Sequence, residues 1–154
     1  MPIREDFVKP MMVGLGIPRV DAFEKVKGRA IYADDIRFPD MLYGKVLRSK
    51  LPHARIVNID VSQAAVLRGV KAVMTGKDIP ATYGPPGLGL RDQPFFAFEK
   101  VRYIGEPIAA IVAIDEDVAQ EAVDLIEVNY EELPAVFDPV LAMMPDAPIL
   151  HEQL

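Results

Sequence analysis

The chain has 154 residues, of which 51% are apolar and 26% charged, with no cysteine and a formal net charge of −6. That length suits one domain able to bury roughly 70% of its unfolded surface. Without cysteine the chain can form no disulfide, thiolate metal site or cysteine-ligated iron–sulfur cluster, and it is compatible with a reducing, cytoplasmic location. So acidic a chain, with no basic face interleaved with aromatics, is not expected to bind nucleic acid.

The charge is unevenly spread. Residues 1–55 carry eleven Lys/Arg against seven Asp/Glu, whereas beyond Arg102 there are twelve Asp/Glu and no basic residue. The acidic half reads as a solvated face; the sharper alternative is a surface complementary to a basic partner. The early apolar run Met11 to Ile17 is short and broken by glycines, so neither a signal peptide nor a membrane span is expected.

In chain order, residues 1–18 hold three prolines and no apolar period, which predicts an arm that needs something to lie on. Gly14-Leu15-Gly16-Ile17-Pro18 opens like a dinucleotide loop but lacks its third glycine and follows no strand. Lys25, Lys27 and Arg29 alternate, placing a basic, solvent-facing stripe opposite Val26, Gly28 and Ala30. Met41 to Ser49 reads as a strand after a Pro39-Asp40 turn, and Ala54 to Asp60 as another. A short helix from Ser62 to Arg68, capped by Ser62, leads through Gly69 into a strand from Val70 to Thr75. Thr75-Gly76-Lys77-Asp78 lacks the rest of a phosphate-binding loop.

Pro80 to Pro94 is a long loop, with Pro85, Pro86, Gly84, Gly87 and Gly89 inside it. Leu88, Leu90, Phe95 and Phe96 make it too apolar for a plain linker, and packing on a neighbouring domain is expected. Ile108 to Ile114 is an unbroken apolar run rich in β-branched residues, the pattern of a central strand covered on both faces. Asp115 caps a helix over 116–125 whose apolar face is Val118, Ala119, Ala122 and Leu125. Ile126, Val128 and Tyr130 then alternate with Glu127, Asn129 and Glu131 as a half-buried strand. Ile59-Asp60 and Ile114-Asp115 each end a strand and open a helix, so the two junctions echo one another at a period of 55. From Val140 the chain reads as a short helix and a proline-broken tail. The fold class predicted is α+β, with helices packed on a mixed β-sheet in a single domain.

Candidate chemistry is sparse. His53 and His151 are the only histidines, neither has a second ligand at metal spacing, and a structural role is expected for each. The adjacent pairs Asp34-Asp35 and Glu131-Glu132 diverge on an extended chain and do not make a general acid and base. Glu106, held between Gly105 and Pro107, is the most site-like carboxylate, although a turn before the central strand explains it as well. The residues themselves supply no catalytic, cofactor-binding or metal-binding set.

Val101-Arg-Tyr-Ile-Gly-Glu-Pro-Ile-Ala-Ala-Ile-Val-Ala113, followed by Ile126-Glu-Val-Asn-Tyr-Glu-Glu-Leu-Pro-Ala-Val136, resembles the a/b hammerhead domain of the molybdenum-binding large subunit in the xanthine dehydrogenase and aldehyde oxidase family. That family includes carbon monoxide dehydrogenase and hydroxybenzoyl-CoA reductase. The stretches Arg19 to Asp35, Met41 to Asp60 and Gly69 to Asp78 match the same pattern in order. Gly28, Gly44, Gly105 and Pro107 match it as backbone-shaping positions, not as ligands. The resemblance implies an arm over 1–18, a hammerhead over 19–139 and a tail over 140–154 leading toward an absent molybdopterin-binding domain. It implies a structural and interface role in a molybdenum hydroxylase, with molybdopterin, iron–sulfur clusters and FAD held by other domains or subunits. The parent reaction it implies is oxidative hydroxylation of a heterocycle or aldehyde, or a related oxidoreduction. The alternative is an independent small-molecule- or protein-binding module that reuses the fold.

Overall fold

A computed structural model describes residues 14–84 and 91–152. Most of the predicted arm and the 85–90 apex of the glycine–proline loop lie outside the described residues. By internal contacts the chain divides into two compact units, Met1–Pro39 and Asp40–Leu154.

In the first unit, helix α1 runs over Ala22–Val26 and buries no residue. The alternation of Lys25, Lys27 and Arg29 does not form a strand. Gly28 adopts φ +67 just past the helix end, a left-handed turn that glycine accepts without a Cβ clash. Each basic side chain finds a local partner: Lys25 on Asp21, Arg29 on Glu24 at 3.1 Å, and Lys27 Nζ 4.0 Å from the Phe23 ring centroid. A 3-10 turn over Ala33–Asp35 follows, where Asp35 accepts from the Tyr32 backbone N–H at 3.0 Å.

Among its described residues the second unit holds eight strands and two helices: β1 Tyr43–Arg48, β2 Ala54–Asp60, α2 Ser62–Val66, β3 Val70–Thr75, β4 Thr82–Tyr83, β5 Gln93–Pro94, β6 Lys100–Val101, β7 Pro107–Ala113, α3 Glu116–Asp124 and β8 Glu127–Glu132. A 3-10 turn over Leu141–Met143 is the short helix expected in the tail.

The α+β class holds, but the sheet expected to be mixed is two antiparallel sheets, ordered β1-β7-β3 and β6-β2-β8, beside a small β4-β5 ladder. The cause is the route taken after each helix. In a parallel βαβ unit the strand after the helix returns beside the strand before it. Here β3, after α2, joins β7, and β8, after α3, joins β2. Exchanging β1-β2-α2-β3 for β6-β7-α3-β8 reproduces every pairing of both sheets. The echo between the two strand–helix junctions is therefore matched by an internal two-fold in the topology, with each half lending its last strand to the other's centre.

β7 is central, as its composition predicts: Ile108, Ala109, Ile111 and Ala113 are fully buried. α3 buries Ala119, Ala122 and Val123, and the last two form one core cluster with Ala64, Ala109, Ile111 and Ile126. A second cluster gathers Ala54, Ile56, Ala97, Val101 and Ile108, and Leu47, Ile59 and Val128 pack against both. Asp115 caps α3 as expected, accepting from the Val118 N–H at 2.8 Å. Ser62 does not cap α2. Val61 occupies the N-cap position, and the preceding Asp60 accepts from the Ser62 N–H at 2.9 Å. A carboxylate already at the strand end makes that turn without the hydroxyl.

Candidate functional site

Glu106 is 2% exposed and hydrogen-bonded within the turn that leads into β7. Gly105, at φ +92, turns the chain back from β6 into β7, and the Arg102 backbone N–H and guanidinium both donate to the Glu106 carboxylate, the latter at 3.3 Å. The Ser49 N–H donates to the Glu106 carbonyl at 2.9 Å, and the Gly105 N–H to the Ser49 carbonyl at 2.8 Å. This carboxylate neutralises a guanidinium and closes a turn; no base or nucleophile faces it in these bonds. Burial, and then the Glu106 charge, push the neighbouring Tyr103 phenol above its usual value.

His53 is also buried. Its Nδ1 lies 2.6 Å from the Pro134 carbonyl, and its own carbonyl accepts from the Leu133 N–H at 3.0 Å, pinning the chain where β8 ends. His53 Nε2 and Arg102 Nε are buried without a hydrogen-bond partner among the described residues. Of the two carboxylate pairs, Asp34-Asp35 lies in a 3-10 turn rather than on an extended chain, and Glu131-Glu132 ends β8. Asp35 closes its own turn, and Glu131 pairs with Arg55 at 2.9 Å across the β2–β8 ladder. No group of three or more His, Asp or Glu side chains able to hold a metal ion occurs among the described residues.

A cleft of about 600 Å³ opens between the start of β2, β6, the 91–94 stretch and the tail, with Arg55, Lys100 and Arg102 on its walls and His151 and Glu152 at its edge. Lys100 Nζ donates to the Ile149 carbonyl at 3.2 Å and to Glu152 Oε1 at 3.0 Å. Sequence reasoning missed the cleft because its charges come from separate segments, and no local spacing joins Lys100 to Glu152.

Two antiparallel three-stranded sheets sharing a core, with α3 on one of them, define a small α+β domain built around β7. Residues 27–134 match the family profile described as the aldehyde oxidase and xanthine dehydrogenase a/b hammerhead domain, and the chain belongs to that family. The chain is 45% identical to a probable xanthine dehydrogenase subunit of Bacillus subtilis over 134 residues, 87% of this chain and 18% of the relative. It is 42% identical to the nicotinate dehydrogenase large molybdopterin subunit of Eubacterium barkeri over 140 residues, 91% of this chain and 33% of the relative. Reconstituted CO dehydrogenase from Oligotropha carboxidovorans superposes with a TM-score of 0.77 at 40% identity, covering 88% of this chain and 17% of that one. The chain thus spans between about a sixth and a third of the length of these relatives.

No helix among the described residues is long and apolar enough to cross a membrane.

Proposed function

We propose that this chain is a structural and interface domain of a molybdenum hydroxylase large subunit, without a reaction centre of its own. The observation that carries the reading is the apolar surface left uncovered after β8: Phe137 is 79% exposed, Met143 85% and Ile149 69%, among Val140, Leu141 and Met144. Single exposed apolar residues are ordinary on a monomer, but a run of this kind marks a surface that another domain covers. The relatives carry the same domain within chains several times longer, which supplies the covering domain.

The donor set does not fit an iron–sulfur cluster or a directly ligated metal ion. Iron–sulfur clusters are held by thiolates in this class of protein, and the chain has no cysteine. The described His, Asp and Glu side chains do not converge on a metal. On this reading iron–sulfur clusters, molybdopterin and FAD belong to other domains or subunits, which are also this chain's partners, with the 140–154 tail leading toward the molybdopterin-binding part. The parent reaction is oxidative hydroxylation of a heterocycle or aldehyde, or a related oxidoreduction, in the cytoplasm.

Metal analysis, a visible absorption spectrum and a turnover assay on the purified chain test the reading. The expected result is no molybdenum, iron or flavin and no hydroxylase activity. Stoichiometric molybdenum with turnover overturns it.

A further inference from the structure

We propose that the cleft beside β6 is a carboxylate-binding site whose occupant is the chain's own Glu152, so that Lys100 clasps residues 149–152 onto the β6-β2-β8 sheet. Lys100 reaches the tail twice, through the Glu152 carboxylate at 3.0 Å and the Ile149 carbonyl at 3.2 Å, from a side chain only 14% exposed. Of the other three cations on these walls, Arg55 is paired with Glu131 and Arg102 with Glu106, while Arg91 lies on the 91–94 stretch. The carboxylate shown for Lys100 comes from the tail. Withdrawing the tail would leave an ammonium in a half-enclosed site with neither bond, an unfavourable change that favours the docked state.

Apolar burial does not hold this segment. Ile149 stays 69% exposed and Leu150 39%, so little apolar area leaves water when the tail docks. The charged contacts decide the matter. Arg102 also fixes the position of Lys100, donating from Nη1 to the Lys100 carbonyl at 3.1 Å, so the turn that buries Glu106 aims the clasp as well.

His151 lies between the two anchoring residues and, with His53, is one of two histidines, so its imidazole signals report tail order in the 154-residue chain. In wild type the His151 ring should be ordered on the nanosecond timescale. Glu152→Gln, at an exposed site, should lower the docked-to-undocked ratio up to about five-fold, the range for a partly exposed ion pair. Lys100→Gln should do the same, the exchanged pair Lys100→Glu with Glu152→Lys should recover order, and Ile149→Ala should change nothing. The His53 signal confirms the fold in each variant. A His151 ring already mobile in wild type overturns the proposal. So does His151 order unchanged by Glu152→Gln, or release by Ile149→Ala. Failure of the exchanged pair to recover order in a folded protein overturns the Lys100 pairing.

Discussion

Arg102 and Glu106, four residues apart across the turn between β6 and β7, form an ion pair in which the carboxylate side chain is 3% exposed and the guanidinium side chain 19%. Removing one partner of such a pair leaves a half-buried charge without compensation, which costs far more than the intact pair contributes. Glu106→Ala should destabilise the fold by roughly 2–4 kcal/mol, while Glu106→Gln, which keeps one acceptor oxygen, should cost less. Urea denaturation of both variants measures this. A Glu106→Ala protein as stable as wild type would show that the pair does not organise the turn.

Gly76 carries a steric demand that its place in a loop conceals. A Cβ there would meet the Phe98 Cβ at 2.6 Å and the Phe96 carbonyl oxygen at 2.8 Å, so the 96–98 segment would have to move. Backbone does not yield as a side-chain tip does, and overpacking of this kind costs about 1–3 kcal/mol. Asp78 stiffens the same turn by accepting from the Thr75 N–H at 2.8 Å and from its hydroxyl at 3.0 Å, bonds that hold the Asp78 carboxyl below its usual range. Gly76→Ala should lower the melting temperature by several degrees in a thermal scan. The same change at Gly44, where the nearest atom lies 3.8 Å away, meets ordinary contact and should not clash.

The core makes a sharper contrast. Ile111 is fully buried at the meeting of α3 with the central strand, whereas Val57 sits at the β2 register shift with 65% of its surface exposed. Ile111→Ala should cost about 2–5 kcal/mol by lost burial and cavity formation. Val57→Thr should stay within about 0.5 kcal/mol. Denaturant midpoints for the two variants decide whether β7 is the centre of the fold.

What could be read from residue order was what depends on neighbours in the chain. Ile108 to Ile114 announced the central strand, Asp115 the cap of α3, and Ala54 to Asp60 a strand with the observed bounds, because burial periodicity and capping are local. Sheet partnership was not legible. Whether β8 returns to β7 or crosses to β2 depends on tertiary register, and a helix between two strands reads as a parallel unit by default. Ser62 did not cap α2 because Val61 takes the N-cap position and the Asp60 carboxylate, two residues earlier, accepts from the Ser62 N–H. Glu106 stood out, but Arg102 as its partner required the Gly105 turn to fold. Gly76 gave no sign at all, since the segment that crowds it arrives twenty residues later.

The Glu152 carboxyl offers a pH test of the tail. The hydrogen bond from Lys100, then the Lys100 charge, hold it below its ordinary value of 4.5; Arg102 and Arg55 add to this more weakly. Arg91, Asp92, Glu99 and His151 also border the cleft, and Glu131 and Glu106 neutralise Arg55 and Arg102. A carboxyl with a lowered docked-state pKa favours docking when ionised. The effect is fully present above pH 4.5 and fades as pH falls through the lowered value. The Glu152 carboxyl carbon, followed by NMR, should therefore titrate with a midpoint below 4.5, and His151 order should fall over the same interval. Lys100→Gln should return the midpoint toward the ordinary value, since both leading causes lie in that side chain. High salt should move it the same way by screening the charge contribution. A wild-type midpoint at or above 4.5 would mean that Glu152 does not rest on Lys100 in solution.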